Sequence, residues 1–189
     1  MRVIAGSARG VQLLGPRDRM TRPITDRVKE TLFGILGERV PGARFLDLYA
    51  GSGAIGIEAL SRGAEAATFV ERGPPAVKVL RANLERTHLA DRAMVVAGDV
   101  LGFLDRGEAR GHDLAVLDPP YAERAILAPL QRLAAQMEPG GMVVVKHFWR
   151  TAVLAPPGVA GLAQVRVRRF GETTLTFLVR GPIEAGEPS

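Results

Sequence analysis

Four consecutive residues, Asp118-Pro119-Pro120-Tyr121, end the apolar run Val116-Leu117 with a carboxylate, two imino rings and an aromatic face. A strand cannot continue through two prolines, because each fixes φ at about −65° and removes a ladder donor. Such a stop suits capture of an exocyclic amino group. On a nucleobase that nitrogen is a poor nucleophile, since its lone pair is delocalised into the ring. If Asp118 accepts one N–H and the Pro119 carbonyl accepts the other, the nitrogen moves toward tetrahedral geometry and its lone pair is aimed at an electrophile. Pro120 would fix the direction of that carbonyl, and Tyr121 would offer a stacking face worth about 1–3 kcal/mol per base. Hydrogen bonds to a charged group contribute about 1.5–3 kcal/mol each and correct positioning roughly 7–11 kcal/mol, so orientation dominates. The competing reading is an ordinary Asp-Pro-Pro surface turn.

A second constellation lies upstream. Asp47-Leu48-Tyr49-Ala50-Gly51-Ser52-Gly53-Ala54-Ile55-Gly56 places GxGxxG between a strand pattern and a helix pattern. Glycines there let the backbone turn sharply and approach a ligand at a helix N-terminus. Glu71, twenty residues after Gly51, ends the next strand pattern, where an acid accepts both hydroxyls of a ribose. A nicotinamide dinucleotide and S-adenosylmethionine both fit this much. Asp47 separates them, because a carboxylate four residues before the glycines suits the ammonium and sulfonium region of S-adenosylmethionine and repels a pyrophosphate. A dehydrogenase would also need a substrate domain and a proton-transferring group, neither of which is recognisable. Asp99, ending the third strand pattern, is placed to accept the adenine amino group. Asp47, Ala50, Gly51, Ser52, Gly53, Glu71, Arg72, Asp99 and Val100 are the expected cofactor-binding residues.

These groups need a scaffold. Apolar runs at 44–49, 66–71, 93–98, 113–118 and 142–147 alternate with helical patterns, the rhythm of βαβ units and a parallel sheet. Helices are predicted over Ala54–Arg62, from Pro74-Pro75 with Val77, Leu80 and Leu84 inward, and around Leu127, Leu130 and Leu133. Runs 163–170 and 173–180 flank Gly171-Glu172 as a terminal antiparallel hairpin. The expected fold is α/β: a mostly parallel seven-stranded sheet with a C-terminal antiparallel hairpin and a short N-terminal β-hairpin extension. In that extension MRVIAG pairs with GVQLLG, and a following amphipathic helix is capped by Thr25 or Asp26. Residues 1–40 are expected to pack on a core domain of 41–181, with 182–189 a disordered tail.

Composition narrows the setting. The 189 residues include no cysteine, which excludes disulfides and thiolate zinc sites and makes a reducing cytoplasm the expected location. His88, His112 and His147 lie far apart, so no metal is expected. No apolar run approaches the roughly 20 residues needed to cross a bilayer, and the N-terminus has no signal-peptide pattern, so no membrane partner is expected. Net charge is +5, and residues 1–27 hold six arginines against two aspartates, a local +4. Arg2, Arg9 and Arg22 are candidate phosphate contacts, with a solvated rim as the plainer reading.

Together these residues resemble the Rossmann-like class I S-adenosylmethionine-dependent methyltransferases whose fourth motif is Asp or Asn, Pro, Pro, aromatic. More narrowly, RVIAGSARG at Arg2–Gly10, RPITDRVKETLFGIL at Arg22–Leu36 and LDLYAGSGAIGIEALSRGA at Leu46–Ala64 resemble the bacterial RsmD family. Its members methylate N2 of one guanine in 16S ribosomal RNA, in a loop of the small-subunit head. The resemblance covers residues 1 to about 148 with specific motifs and is topological beyond. It implies that Asp47, Gly51, Ser52 and Gly53 line the methionine end, Glu71 the ribose and Asp99 the adenine, while Asp118 to Tyr121 hold the base. Thr25 and Arg27 are implied to close over cofactor or base. The implied partner is 16S rRNA within a small-subunit assembly particle, met by a monomer. Arg72-Gly73-Pro74-Pro75 departs from the family's usual acid or Asn after Glu71. Lys146-His147 stands where the family tends to show Glu, and is expected to leave the chemistry untouched. Three alternatives stand beside this: adenine N6 in DNA or RNA as acceptor, a protein glutamine amide, whose enzymes typically carry Asn in place of Asp118, and a non-catalytic RNA-binding protein with a vestigial cofactor fold.

Overall fold

Each of the seven strand patterns forms a strand. In the computed structural model, which describes residues 1–15, 24–119, 126–151, 159 and 161–181, the first five are parallel. They are β1 (Arg44–Leu48), β2 (Ala66–Glu71), β3 (Ala93–Ala97), β4 (Leu114–Leu117) and β5 (Met142–Phe148). Strands β6 (Leu162–Phe170) and β7 (Thr173–Arg180) form the antiparallel hairpin, and β7 also pairs antiparallel with β5. The order across the sheet is β3-β2-β1-β4-β5-β7-β6, so the chain reverses its direction of travel between β1 and β4. In open α/β sheets that switch point is where ligands bind, outside the strands' carboxyl ends.

Near-continuous apolar sequence in β1, β4 and β5 reflects burial on both faces, as parallel strands covered by helices require. Helices α1 (Asp26–Leu36), α2 (Ala54–Ser61) and α3 (Pro74–Thr87) share one core with Phe45, Phe69, Val116 and Val144. Helices α4 (Val100–Asp105) and α5 (Leu127–Ala134) cover the other face, over Leu46, Leu48, Leu117 and Val145. Helix α4 carries no periodic signal because it is six residues long.

The N-terminal hairpin is smaller than its sequence suggests. Pairing is limited to one bridge, Arg2 with Gln12, flanked by backbone bonds from Val3 N to Val11 O (3.0 Å) and Leu13 N to Met1 O (2.9 Å), with Gly10 N donating to Val3 O (2.9 Å). Instead of extending as strands, this arm is fastened to α2. Ile4 N and Ala5 N donate to the Glu58 carboxylate at 2.8 and 3.0 Å, and Ser7 N donates to Ser61 O at 2.8 Å. Gly6 comes so near that a Cβ would sit 1.7 Å from Ser61 O. Lys29 Nζ, fully buried, lies 2.9 Å from Glu58 Oε2 and 2.6 Å from Arg2 O, while Arg62 Nε lies 2.8 Å from Glu58 Oε1.

Among the described residues no helix is long and apolar enough to cross a membrane, and no group of three or more acids and histidines could hold a metal. Residues 182–189 lie outside the described residues.

Candidate functional site

Beyond β1 the backbone turns through three left-handed residues, Tyr49 (φ 63°), Gly51 (φ 55°) and Gly53 (φ 78°), before α2 starts. Gly53 is the N-cap, and a Cβ there would lie 2.2 Å from Leu80 Cδ1. Gly56 presses α2 onto β2, where a Cβ would meet the Phe69 ring at 2.3 Å. These are the turning and packing roles that GxGxxG serves between strand and helix.

The loop is held from three sides. Gly51 N donates to Glu71 Oε2 at 2.9 Å, and Gly73 N to Glu71 Oε1 at 2.7 Å. Ala50 N donates to Val70 O at 3.1 Å. Asn83, fully buried on α3, donates from Nδ2 to Ser52 O (2.9 Å) and Leu14 O (3.0 Å), and its Oδ1 accepts from Leu14 N (2.7 Å). One amide thus joins the N-terminal arm to the glycine loop.

Asp47 is buried under this loop. Its Oδ2 accepts from Gly56 N at 2.9 Å, whereas Oδ1 has no partner among the described residues. Burial drives the carboxyl well above the ordinary aspartate value; the Gly56 bond opposes this, and the negative charges of Asp118 and Glu71 add to it. A buried carboxylate with an unmatched oxygen among other acids is a place for a cation. The ammonium or sulfonium of S-adenosylmethionine fits it, and a pyrophosphate does not.

Asp118 follows β4, its N–H donating to Leu48 O at 3.2 Å across the switch point. Both carboxylate oxygens face Lys146 Nζ, at 2.6 and 2.9 Å. Burial raises the Asp118 carboxyl, and Lys146 pulls it back down. Lys146, expected to leave the chemistry untouched, thus lies in direct contact with the candidate acceptor acid. Leu117 pairs with Val145 in the β4–β5 register, so the next residue on each strand meets its counterpart on one face of the sheet. His147 points to the opposite side, where Nε2 meets Thr176 Oγ1 at 2.9 Å and burial lowers its basicity.

The other expected residues are placed as follows. Pro119 is buried; Pro120, Tyr121 and Arg22 lie outside the described residues. Asp99 is exposed and caps α4, its Oδ2 accepting from Gly102 N at 3.1 Å; Val100 beside it is buried, and Arg72 is exposed. Thr25 caps α1, accepting from Val28 N at 3.4 Å, and Arg27 is exposed. Arg2 and Arg9 are exposed on the arm, with Arg2 Nε 3.2 Å from Asp26 Oδ2. Contacts of Ile4, Ala5 and Ala8 with Glu58 and Ser61 place that part of the arm along the C-terminal half of α2, while its end at Leu14 reaches the glycine loop through Asn83. A further basic surface gives no motif in the sequence. Arg166, Arg168 and Arg169 are exposed on edge strand β6, and the Trp149 ring lies beneath the guanidinium groups of Arg169 (4.1 Å) and Arg150 (4.7 Å). Phe148 and Phe170 both pair with Thr173, so this surface sits at the carboxyl end of the parallel strands.

The strand order, the glycine turn and a cation-seeking acid beneath it define a class I S-adenosylmethionine-dependent methyltransferase. Residues 1–179 match the profile of the family described as conserved hypothetical protein 95, and the chain belongs to this family, the RsmD methyltransferases. It is 38% identical over 177 residues to the Bacillus subtilis putative rRNA methyltransferase YlbH, covering 92% of this chain and 95% of that one. It is 41% identical over 121 residues to ribosomal RNA small subunit methyltransferase D of Escherichia coli strain K12, covering 64% and 60%. Among solved structures, the Thermus thermophilus hypothetical protein TTHA0928 superposes with a TM-score of 0.79 at 37% identity, covering 95% of this chain and 99% of that one.

Proposed function

We propose that the chain transfers a methyl group from S-adenosylmethionine to the exocyclic N2 of a guanine in 16S rRNA. The observation that carries this reading is the pairing of two acids at the switch point: Asp47, buried with an unmatched oxygen, and Asp118, at the outer end of the neighbouring strand. The first suits a cationic donor and the second an amino acceptor.

When bound, the donor supplies a methyl carbon whose bond to sulfur breaks, leaving the electron pair on sulfur, as the bond to the acceptor nitrogen forms. The chain's own residues set up that event. Asp47, with Oδ1 unmatched among the described residues, would hold the donor's positive end. Glu71, already fixing Gly51 and Gly73, has lone pairs left over that would accept from the ribose hydroxyls. Asp99 keeps acceptor capacity for the adenine amino group beside the buried Val100, and Ala50, Ser52 and Arg72 would be further contacts to the donor. Asp118 and the Pro119 carbonyl would accept the two N–H groups of the base; Pro120 and Tyr121, outside the described residues, keep the roles their residue types suggest, fixing the carbonyl's direction and offering a stacking face. The methylated nitrogen then loses a proton to solvent.

RNA as acceptor draws support from the names of relatives such as the Escherichia coli enzyme and from two exposed basic surfaces, the arm with Arg2 and Arg9 and the β6 edge. We read Thr25 and Arg27, at the start of α1, and Arg22, outside the described residues, as further contacts to RNA. The substrate is rRNA within a small-subunit assembly particle, met in the cytoplasm by a monomer in which residues 1–40 form an extension on the methyltransferase domain of 41–181. The test is to incubate the protein with labelled S-adenosylmethionine and hypomethylated small-subunit particles and map the methyl by mass spectrometry. Label on N2 of one guanine is expected; label on adenine or on protein overturns the acceptor assignment.

A further inference from the structure

We infer that Lys146 is a positioning residue for the acceptor carboxylate: it fixes the plane of Asp118 and keeps it a pure hydrogen-bond acceptor, so that Asp118 orients the amino group without taking its proton. The inference rests on Asp118 being the acceptor group proposed above.

The geometry is specific. Three acids converge at the strand ends, Asp47 from β1, Glu71 from β2 and Asp118 after β4, and Lys146 from β5 meets the last of them. The acids are held differently. Asp47 and Glu71 take backbone amides, from Gly56 and from Gly51 and Gly73 respectively. Among the described residues both hydrogen bonds of the Asp118 carboxylate come from Lys146. Against the burial that favours its protonated form, the opposing hydrogen bonds of Asp118 therefore come from one side chain. That side chain belongs to a residue only 5% exposed, in a strand buried along six of its seven residues, where an ammonium requires a counter-charge.

Lone-pair counting shows what is left. An ionised carboxylate offers about four acceptor sites, and Lys146 uses one on each oxygen. The Asp118 side chain is 24% exposed, so the remaining sites are reachable from solvent and from a base brought to the mouth. A protonated Asp118 would instead present an O–H toward the N–H it must accept. Lys146 carries donors only, so it cannot replace Asp118 in gripping the amino group. By stabilising the negative form it also makes Asp118 a weaker base, which leaves the proton to solvent. The charged groups that bear on this corner are Lys146, which lowers the Asp118 carboxyl against the effect of burial, and Asp47, on whose carboxyl Asp118 acts as a neighbouring negative charge. His147 faces Thr176 on the other side of the sheet.

The experiment compares the parent chain with Lys146→Met, Lys146→Arg and Asp118→Ala. Methyl transfer to hypomethylated small-subunit particles is followed against pH, and the Asp118 carboxyl is titrated by carbon NMR, its resonance assigned as the one missing in Asp118→Asn. Lys146→Met is expected to lower kcat about ten- to a hundredfold at neutral pH, the range for losing one charge-assisted hydrogen bond, with donor KM little changed. The acid limb of the rate profile and the NMR midpoint should both rise by about one to three pH units, the effect of removing an adjacent opposite charge. Lys146→Arg should restore both. An unmoved NMR midpoint in Lys146→Met overturns the inference whether or not that variant turns over. A pH-independent loss that Arg does not rescue also overturns it, since that is a packing effect. Parent-like turnover in Asp118→Ala removes the acceptor reading and this inference with it; an inactive Asp118→Ala beside a parent-like Lys146→Met removes the inference alone.

Discussion

Glu58 and Asp47 are both acids buried on the same side of the sheet, one in the middle of α2 and one beneath its first turn, yet their surroundings are opposite. Glu58 is fully matched: two arm amides, the Lys29 ammonium and the Arg62 guanidinium occupy its oxygens. Asp47 has one amide, one unmatched oxygen and two further acids nearby. A satisfied buried charge fastens chain to chain, and an unsatisfied one waits for something that is not chain. That contrast separates scaffold from site more sharply than burial does, since both acids are almost fully enclosed.

The contrast can be broken first at Glu58. Glu58→Ala would strand the Lys29 ammonium and the Ile4 and Ala5 amides, and should cost about 3–5 kcal/mol in denaturant unfolding. A loss under about 1 kcal/mol would mean that the arm is not held by this acid. Next comes Asp118→Ala, which should reduce methyl transfer about 10²–10³-fold while sparing most donor binding. Turnover comparable to the parent would remove Asp118 from the site.

A smaller effect is expected from Asp47→Asn, and its two readouts have opposite signs. Donor affinity should fall about tenfold or more, the value of one hydrogen bond to a charged group. Stability without donor should respond the other way. The folded Asp47 carboxyl holds its proton above the ordinary value of 3.8 at which the unfolded chain releases it. Its contribution is therefore greatest below that value and declines as pH rises through the raised folded value. The Asn variant should lack this decline, so a plot of Tm against pH would be flatter; an identical slope would show that Asp47 is not the strained acid. Smallest of all, removing Arg2 and Arg9 together should weaken RNA binding and reduce its salt slope by about 1.4 if each meets a single-strand phosphate. An unchanged slope would confine RNA contact to other surfaces, with the β6 edge as the next place to look.

Much of this was legible in the sequence where local pattern decides structure. The seven strand patterns became the seven strands within a residue or two; for β1, β4 and β5 this is because burial on both faces demands near-continuous apolar sequence, while β6 and β7 were marked by the turn at Gly171-Glu172. The glycine turn was legible because its glycines do what other residues cannot: Gly51 and Gly53 take positive φ, and Gly56 leaves room for Phe69. What escaped were the long-range polar pairs. Lys29 lies among the buried residues of α1, Glu58 interrupts an otherwise apolar α2, and Lys146 breaks the run MVVVKHF. Each was a visible anomaly, a charge where the pattern called for an apolar side chain. Its partner was hidden until strand order and register brought residues 28 positions apart, as in Asp118 and Lys146, onto one face. Asn83 gave no comparable signal, since an asparagine on a solvated-looking helix is unremarkable until its amide is seen to join Leu14 and Ser52.

Among the described residues strand β6 has a neighbour on one side only, and its nine residues are largely open to solvent. Such an edge presents free backbone donors and acceptors that a second copy could extend into a longer sheet. Two features of this strand oppose that. The register shifts between Gln164 and Arg166, and the charges of Arg166, Arg168 and Arg169 would be brought face to face in any like-with-like pairing. These arginines therefore guard solubility whatever else they touch. Neutralising them would leave Val165 and Val167, both exposed, on an uncharged strand with an open side, a template for aggregation.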